Sequence, residues 1–272
     1  MTSQPCHFDL AMGYAQWQGS GRPENLPRGA DEIARICAGY APLETVPISA
    51  ANVSGSGINR WDALLDQFLA AQAILRKHEP ASVLTAGGDC AVDIVVIDYL
   101  LRLYPDLTVI WIDSHLDANT TKTSPSGNFH GMPVSTILGA PPAELQPHLG
   151  SALQSRAFRY FWAHVGDQGD WDFQHENELT WLKDDERFPG PIHIHFDLDV
   201  FDPAEFPHLA YPEKNGLTID AAIALLRRLA SENRVVGLTI TEFAPGDAAG
   251  ATAGGQIVSR LIESACGNWA GV

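Results

Sequence analysis

The stretch TVIWIDSHLD, Thr108–Asp117, decides the fold. Its first half, Thr108–Ile112, is an uninterrupted apolar run of the kind that forms a strand buried on both faces. Polarity changes abruptly at Asp113. In extended backbone, residues two apart point the same way, so Asp113, His115 and Asp117 can converge on one spot. The same design recurs in IHIHFDLD, Ile192–Asp199, where Asp197 and Asp199 share a face, and in GGDC, Gly87–Cys90, which follows the apolar run Val83–Ala86. Carboxylates and an imidazole crowded in this way need cations to offset their repulsion. Ligands so rich in carboxylate oxygen suit hard or borderline divalent ions such as Mn²⁺. Carboxylates that bridge would hold two such ions close enough to activate water. The pattern points to a binuclear metallohydrolase.

Two further apolar runs, Arg159–Val165 and Val235–Thr239, read as strands. Helical patterns lie between several of the runs. Trp61, Leu64, Leu65, Phe68, Leu69 and Leu75 make one face of a helix over Trp61–Lys77, and Ala91–Leu103 is a second, more thoroughly apolar helix. Thr218 suits the N-cap of a third, with Asp220 in its first turn and Arg227 and Arg228 towards its end. Ser20–Gly29 and Pro141–Ser151 read as surface loops. Alternating strands and helices imply a mainly parallel sheet covered on both faces, whose working residues sit beyond the carboxyl ends of the strands. Cys90, Asp113 and Asp197 all fall there.

At 272 residues the chain suits a single α/β domain over 1–272. A formal net charge of -16 argues against nucleic acid or an anionic membrane as partner and leaves a small molecule as the expected one. The cysteines, Cys6, Cys37, Cys90 and Cys266, are far apart and form no CxxC pair, which fits reduced thiols. The N-terminus lacks the features of a signal peptide and no apolar run is long enough to span a membrane, so a cytoplasmic protein is expected.

The motifs together resemble the ureohydrolases, the arginase and agmatinase superfamily. WIDSHLD (111–117) is similar to its DAHxD signature, HFDLDVFDP (195–203) to its SxDxDxxDP signature, and GGDC (87–90) to GGDH with the histidine replaced. HisGlyMetPro (130–133) and Glu242 follow the family order. The resemblance implies a three-layer α/β fold with two Mn²⁺ ions at the carboxyl edge of the sheet. It implies one ion on Cys90, Asp113, Asp117 and Asp197, and the other on His115, Asp113, Asp197 and Asp199. Water activated by the ions would attack a guanidine carbon, with Asp117 orienting it, Glu242 holding the guanidine nitrogens and His130 shuttling a proton. SGNFHG (126–131) resembles the segment with which arginases recognise an α-carboxylate, so Ser126, Asn128 and Asn119 are expected to bind substrate. Asp170 or Asp172 is expected to receive the α-ammonium.

Departures from the family pattern occur at Cys90 and in Pro207–Pro212, where Tyr211 replaces a small hydroxyl residue and is expected to touch substrate. A thiolate ligand adds negative charge and softness, which lowers the ion's Lewis acidity and opens the site to Zn²⁺, Co²⁺ or Fe²⁺. An arginine guanidinium is always protonated, whereas a hydroxylated guanidine is less basic and easier to hydrolyse. Cysteine at this ligand resembles the family branch of D-cycloserine biosynthesis, which cleaves Nω-hydroxy-L-arginine to hydroxyurea and L-ornithine. That substrate is therefore expected ahead of L-arginine, agmatine, guanidinobutyrate or formiminoglutamate. A metal-poor scaffold of the same fold is the non-enzymatic alternative, and a one-metal deacetylase is disfavoured by the paired aspartate motifs. Asp89 and Asp202 read as turn formers or caps, His193 and His195 as packed or hydrogen-bonded residues, and the tryptophans as core.

Overall fold

The computed structural model describes residues 8–22 and 24–266. Its first elements are β1 (Leu10–Tyr14), α1 (Leu26–Cys37), β2 (Leu43–Thr45), α2 (Trp61–His78), β3 (Val83–Gly87), α3 (Asp93–Leu103), β4 (Thr108–Ile112) and α4 (Pro133–Ile137). These are followed by β5 (Phe158–Phe161), α5 (Gln168–Glu176), β6 (Thr180–Trp181), β7 (Ile192–Asp197), α6 (Ile219–Glu232), β8 (Val235–Thr241) and α7 (Ala248–Ala265). The strands form one 8-stranded sheet in the order β2-β1-β3-β8-β7-β4-β5-β6, and every strand pairing is parallel.

The pleat divides the core between the two faces of this sheet. Val109 and Trp111 of β4 turn to one side, where they pack with α2 and α3 through Leu64, Phe68, Ile94 and Leu100. Ile110 and Ile112 turn to the other, with Ile194 and Phe196 of β7, against α1, α6 and α7. The result is a three-layer α/β fold with a mainly parallel sheet and helices on both faces, as the alternation of elements requires. Among the described residues no helix is long and apolar enough to cross a membrane.

Several local expectations need correction. The run Arg159–Val165 is strand only as far as Phe161, because Trp162 adopts a left-handed φ of 70°. The stretch Ser20–Gly29 is not all loop: α1 begins at Leu26, with Pro27 in the first turn, where its missing N–H costs nothing. The short edge strands β2 and β6, and the apolar β1, were not expected. Thr218 does cap α6, accepting from Ala221 N at 3.2 Å. That helix runs on to Glu232, so Arg227 and Arg228 lie before its last turn. Cys266 is disulfide-bonded, contrary to the expectation of reduced thiols throughout, while Cys37 and Cys90 are free. Spacing along the chain could not reveal this, since folding pairs distant segments. Cys6 lies outside the described residues.

Gly88 ties three strand ends together. Its N–H donates to O of Tyr14, the last residue of β1, at 2.9 Å, and its carbonyl accepts from Glu242 N at 2.8 Å, just after β8. A Cβ at this position would lie 1.8 Å from Gln16 O, a backbone atom that cannot swing away. Gly88→Ala is therefore expected to destabilise the protein by about 3 kcal/mol, read as a lowered urea midpoint. An unchanged midpoint would show that the strand ends are not held this closely.

Candidate metal centre

The four central strands, β3, β8, β7 and β4, are neighbours, and each ends in a candidate side chain. Cys90 follows β3 and opens a short 3-10 turn capped by Asp89, which accepts from Ala91 N at 3.1 Å. Glu242 follows β8. Asp197 closes β7 and caps the next turn through Asp199 N at 2.7 Å, a local bond that pins both aspartates. Asp113 follows β4 and accepts from His115 N at 2.6 Å and from Trp111 Nε1 at 3.0 Å.

Two groups of ligand atoms result, and in each the atoms lie within 4.8 Å of one another. One is Cys90, Asp113, His195 and Asp197; the other is Asp113, His115 and Asp199. Within them, Cys90 Sγ lies 2.8 Å from Asp197 Oδ2, and His115 Nδ1 lies 3.0 Å from Asp199 Oδ2. Asp113 belongs to both groups. Asp117 falls in neither, although it is buried close by. His195, which the sequence assigned to packing or hydrogen bonding, does hydrogen-bond to Asp93 and also joins the Cys90 group.

The electrostatics of these groups call for cations. Burial first, and then the neighbouring carboxylates, push Asp117, Asp197 and Glu242 far above the usual carboxylate range. Burial and Asp197 likewise push the Cys90 thiol up. Burial opposes a charge on His115, yet Asp199 and Asp113 override it and hold the imidazolium proton firmly. That proton stands where a metal ion would neutralise the same oxygens. Asp117 Oδ2, Asp199 Oδ1 and both Glu242 carboxylate oxygens are buried without a hydrogen-bond partner among the described residues. Buried acceptors left open in this way are costly unless a cation or ligand occupies them. Asp117 and Glu242 also adopt left-handed backbone, with φ of 50° and 59°. Such strain, about 1–3 kcal/mol per residue, collects at functional sites. The donor set of carboxylate, imidazole and thiol fits divalent transition ions.

The groups open onto a cavity of about 240 Å³ whose lining includes Cys90, His115, Asp117, His130, Asp167 and Tyr211. His130 Nδ1 lies 3.4 Å from Glu242 Oε1, and burial lowers the His130 pKa. The Tyr211 ring tilts against His130 at 5.0 Å, its hydroxyl donates to Ser20 O at 2.8 Å, and the Arg22 guanidinium lies over the ring at 4.8 Å.

The residues expected to bind an amino acid's α-groups are more scattered. Asn119 is buried, donates to Asp167 Oδ2 at 3.1 Å and keeps its own Oδ1 open. Ser126 and Asn128 do not line the cavity. Asn128 is engaged by Asn59 at 2.9 Å and by Ser20 O at 3.3 Å, and Ser126 Oγ accepts from Asn128 N at 3.1 Å. Asp172 sits on the exposed face of α5, where Gln168 bonds it at 2.7 Å. Asp170 lines the cavity but spends its oxygens on Ala118 N at 2.8 Å and Asp167 N at 3.0 Å. Asp167, which had not been expected, is the N-cap of α5 in a reciprocal capping box with Asp170. The spacing Asp167-Gln-Gly-Asp170 is the signal that could have found it.

Known proteins resemble the chain in sequence and fold. It is 29% identical to arginase of Saccharomyces cerevisiae over 188 residues, 60% of this chain and 56% of that one. It is 30% identical to human arginase-1 over 188 residues, 60% of this chain and 58% of that one. The match thus spans little more than half of either relative. Among solved structures, Entamoeba histolytica arginase in complex with L-ornithine has a TM-score of 0.83 at 18% identity, covering 97% of this chain and 100% of that one. Bacillus caldovelox arginase has a TM-score of 0.82 at 22% identity, covering 97% and 100%. Formimidoylglutamase of Bacillus subtilis shares the fold at 0.71 and 15% identity, covering 99% and 90%, so the fold alone selects no substrate. The profile of the Arginase family matches residues 39–266, which include every strand end described above except that of β1. With its ligand groups on those strand ends, this chain belongs to the arginase family.

Proposed function

We propose that the protein is a binuclear amidinohydrolase acting on the guanidino group of an amino acid, with Nω-hydroxy-L-arginine as the favoured substrate and hydroxyurea and L-ornithine as products. The observation that carries this is the pair of ligand groups that share Asp113 and reach the cavity through Cys90, Asp197, His115 and Asp199. Cys90, Asp113 and Asp197 would hold one ion, and His115, Asp113 and Asp199 the other. Two Mn²⁺ ions, when bound, supply the charge that lets these carboxylates ionise together and the acidity that makes water nucleophilic near neutrality. Asp117 turns an unpartnered oxygen towards this space and is placed to orient the attacking water and take its proton. Glu242 offers two open carboxylate oxygens to the guanidino N–H groups. His130, within 3.4 Å of Glu242, is placed to return a proton to the departing amine. Asp167 lines the cavity and holds the buried Asn119 behind it at 3.1 Å, a polar pair that suits the α-carboxylate and α-ammonium.

Cys90 and Tyr211 set the preference among guanidines. A thiolate beside the two carboxylates of its group, Asp113 and Asp197, makes a weaker Lewis acid, which suffices for a less basic, hydroxylated guanidine. Tyr211, fixed by Ser20 and Arg22 against His130, narrows the cavity where the guanidino end would lie. The names of the sequence relatives favour a second reading, an ordinary arginase.

Hydrolysis of L-arginine and Nω-hydroxy-L-arginine should be compared in the Mn²⁺-loaded protein, with agmatine and formiminoglutamate as further substrates. The expected result is a kcat/KM at least about 10-fold higher for the hydroxylated compound, some 1.4 kcal/mol in barrier. Equal or better turnover of L-arginine would sink the hydroxyarginine assignment and leave the arginase. Activity on none of the four would sink the amidinohydrolase.

A further inference from the structure

The polar column behind the candidate centre contains a group that the proposed ligand sets leave unused. His193, His195 and Asp197 alternate along β7 and therefore point to one face of the sheet. On that face, Asp93 of α3 is completely buried. Its Oδ2 lies 2.8 Å from His193 Nε2 and 2.9 Å from His195 Nδ1, and Thr239 Oγ1 donates to its Oδ1 at 2.6 Å. With a carboxylate as the partner of Nδ1, the tautomer that donates from Nδ1 to Asp93 is the one this contact favours. The other ring nitrogen, Nε2, then faces the strand end, where its one described partner is Thr241 Oγ1 at 3.5 Å.

The ring is held in place on several sides. His195 is paired in register with Trp111 on β4 and with Thr239 on β8. Trp111 stacks on it at 3.5 Å with only 4° between the planes, while its own Nε1 donates to Asp113 Oδ2. A nitrogen of His195 lies within 4.8 Å of the ligand atoms of Cys90, Asp113 and Asp197. That spread is close to the separation of donors on opposite sides of a single ion, two bond lengths or about 4 to 4.6 Å for nitrogen, oxygen and sulfur. A carboxylate that fixes one imidazole nitrogen while the other faces a set of anionic donors is the arrangement by which proteins orient metal-binding histidines.

We propose that His195 is a ligand, through Nε2, of the divalent ion held by Cys90, Asp113 and Asp197, and that Asp93 is the residue positioning it. The assignment rests on the ion pair of the proposed function. It gives each ion one imidazole, His115 for one and His195 for the other. It also moderates the softness that a thiolate alone would impose, because a neutral nitrogen donor adds no further negative charge.

The test is X-ray absorption on the wild-type protein loaded with Mn²⁺ or Co²⁺, with metal content measured in the same samples. Imidazole scattering amounting to one ring per ion supports the assignment, and half a ring per ion overturns it. Metal binding by His195→Asn and Asp93→Asn gives a second readout, with circular dichroism to check folding. His195→Asn is expected to lose one of the two ions and to alter the thiolate-to-cobalt charge-transfer band of the Cys90 side. Asp93→Asn is expected to weaken the same ion about 10- to 100-fold. A folded His195→Asn protein with both ions and an unaltered band overturns the assignment. Wild-type protein that takes up no ion overturns the proposed function and this assignment together, whereas a loaded protein with half a ring per ion overturns only the latter.

Discussion

Asp197→Ala is expected to lower kcat/KM for the guanidino substrate by at least about 10³-fold, a loss of roughly 4 kcal/mol in transition-state stabilisation. Asp197 belongs to the Cys90 ligand group and touches Cys90 Sγ at 2.8 Å. Through its other oxygen it orders the turn carrying Asp199. Its removal would therefore disturb both ions at once. The same substitution should leave the metal-free protein as stable as before or more so, because it deletes a buried carboxylate that burial, Asp199 and Asp113 already push towards its protonated form. Asp202→Ala serves as the control from the same loop. Asp202 only closes a turn by accepting from Ala204 N at 2.9 Å, and its loss should change activity little. Kinetics and chelated melting curves on the two variants decide the matter. An Asp197→Ala protein within about tenfold of wild-type activity would remove Asp197 from the chemistry.

Chelating the ions is expected to lower the melting temperature at pH 7 by on the order of 10 °C. Ions present at about 1,000 times their dissociation constant stabilise by about 4 kcal/mol, and each kcal/mol shifts a chain of this size by about 2–4 °C. The pH dependence carries the sharper test, because its sign inverts. Asp117, Asp197, Asp199 and Glu242 all titrate above their ordinary range in the folded protein, each chiefly through burial. Between the ordinary and the raised pKa the native state binds more protons than the unfolded chain, so their stabilising contribution is complete at low pH and is lost as pH rises. His115, also raised, acts in the same sense above its ordinary pKa of about 6.5. Asp113 and Asp93 are lowered, and their contribution disappears only below the ordinary carboxylate value of about 4. His130, lowered by burial, opposes this between its lowered and its ordinary pKa, but the raised groups outnumber it, so metal-free protein should gain stability as pH falls from 7 towards 5. Loaded protein should lose it, because protons compete with the ions for the same oxygens. Melting curves at pH 5, 6 and 7, with and without chelator, check this. Parallel slopes would show that no cation replaces those protons.

Much of the site is legible in the amino-acid sequence. Asp113, His115, Asp197 and Asp199 follow apolar runs, and the two-residue period of extended backbone is enough to bring each pair to one face. The three-layer arrangement follows from the alternation of strands and helices. Cys90 is legible too, because GGD after a strand leaves the next side chain at the sheet edge, where it meets Asp197. The cap at Thr218 is local, and local chemistry decides caps. Where the backbone leaves regular geometry the reading fails. The strand at Phe158 stops at Trp162 because of one left-handed residue, and Ser20–Gly29 conceals the start of α1.

What the sequence by itself determined, then, is the ends of the four central strands, β3, β4, β7 and β8, and which of their side chains share a face, because both depend on period and polarity within a few residues. Which neighbours those side chains meet was decided only in the tertiary structure. His195 looks like any histidine in a buried strand until α3 brings Asp93 beneath it and β4 lays Trp111 across it. Asp167 and not Asp172 faces the cavity because the capping box fixes the rotation of α5. Tyr211 is held by Ser20, a residue far away in the chain. The contacts of His195 and Tyr211 join segments that no spacing relates, so they exist only once strand order and helix packing have set the distances.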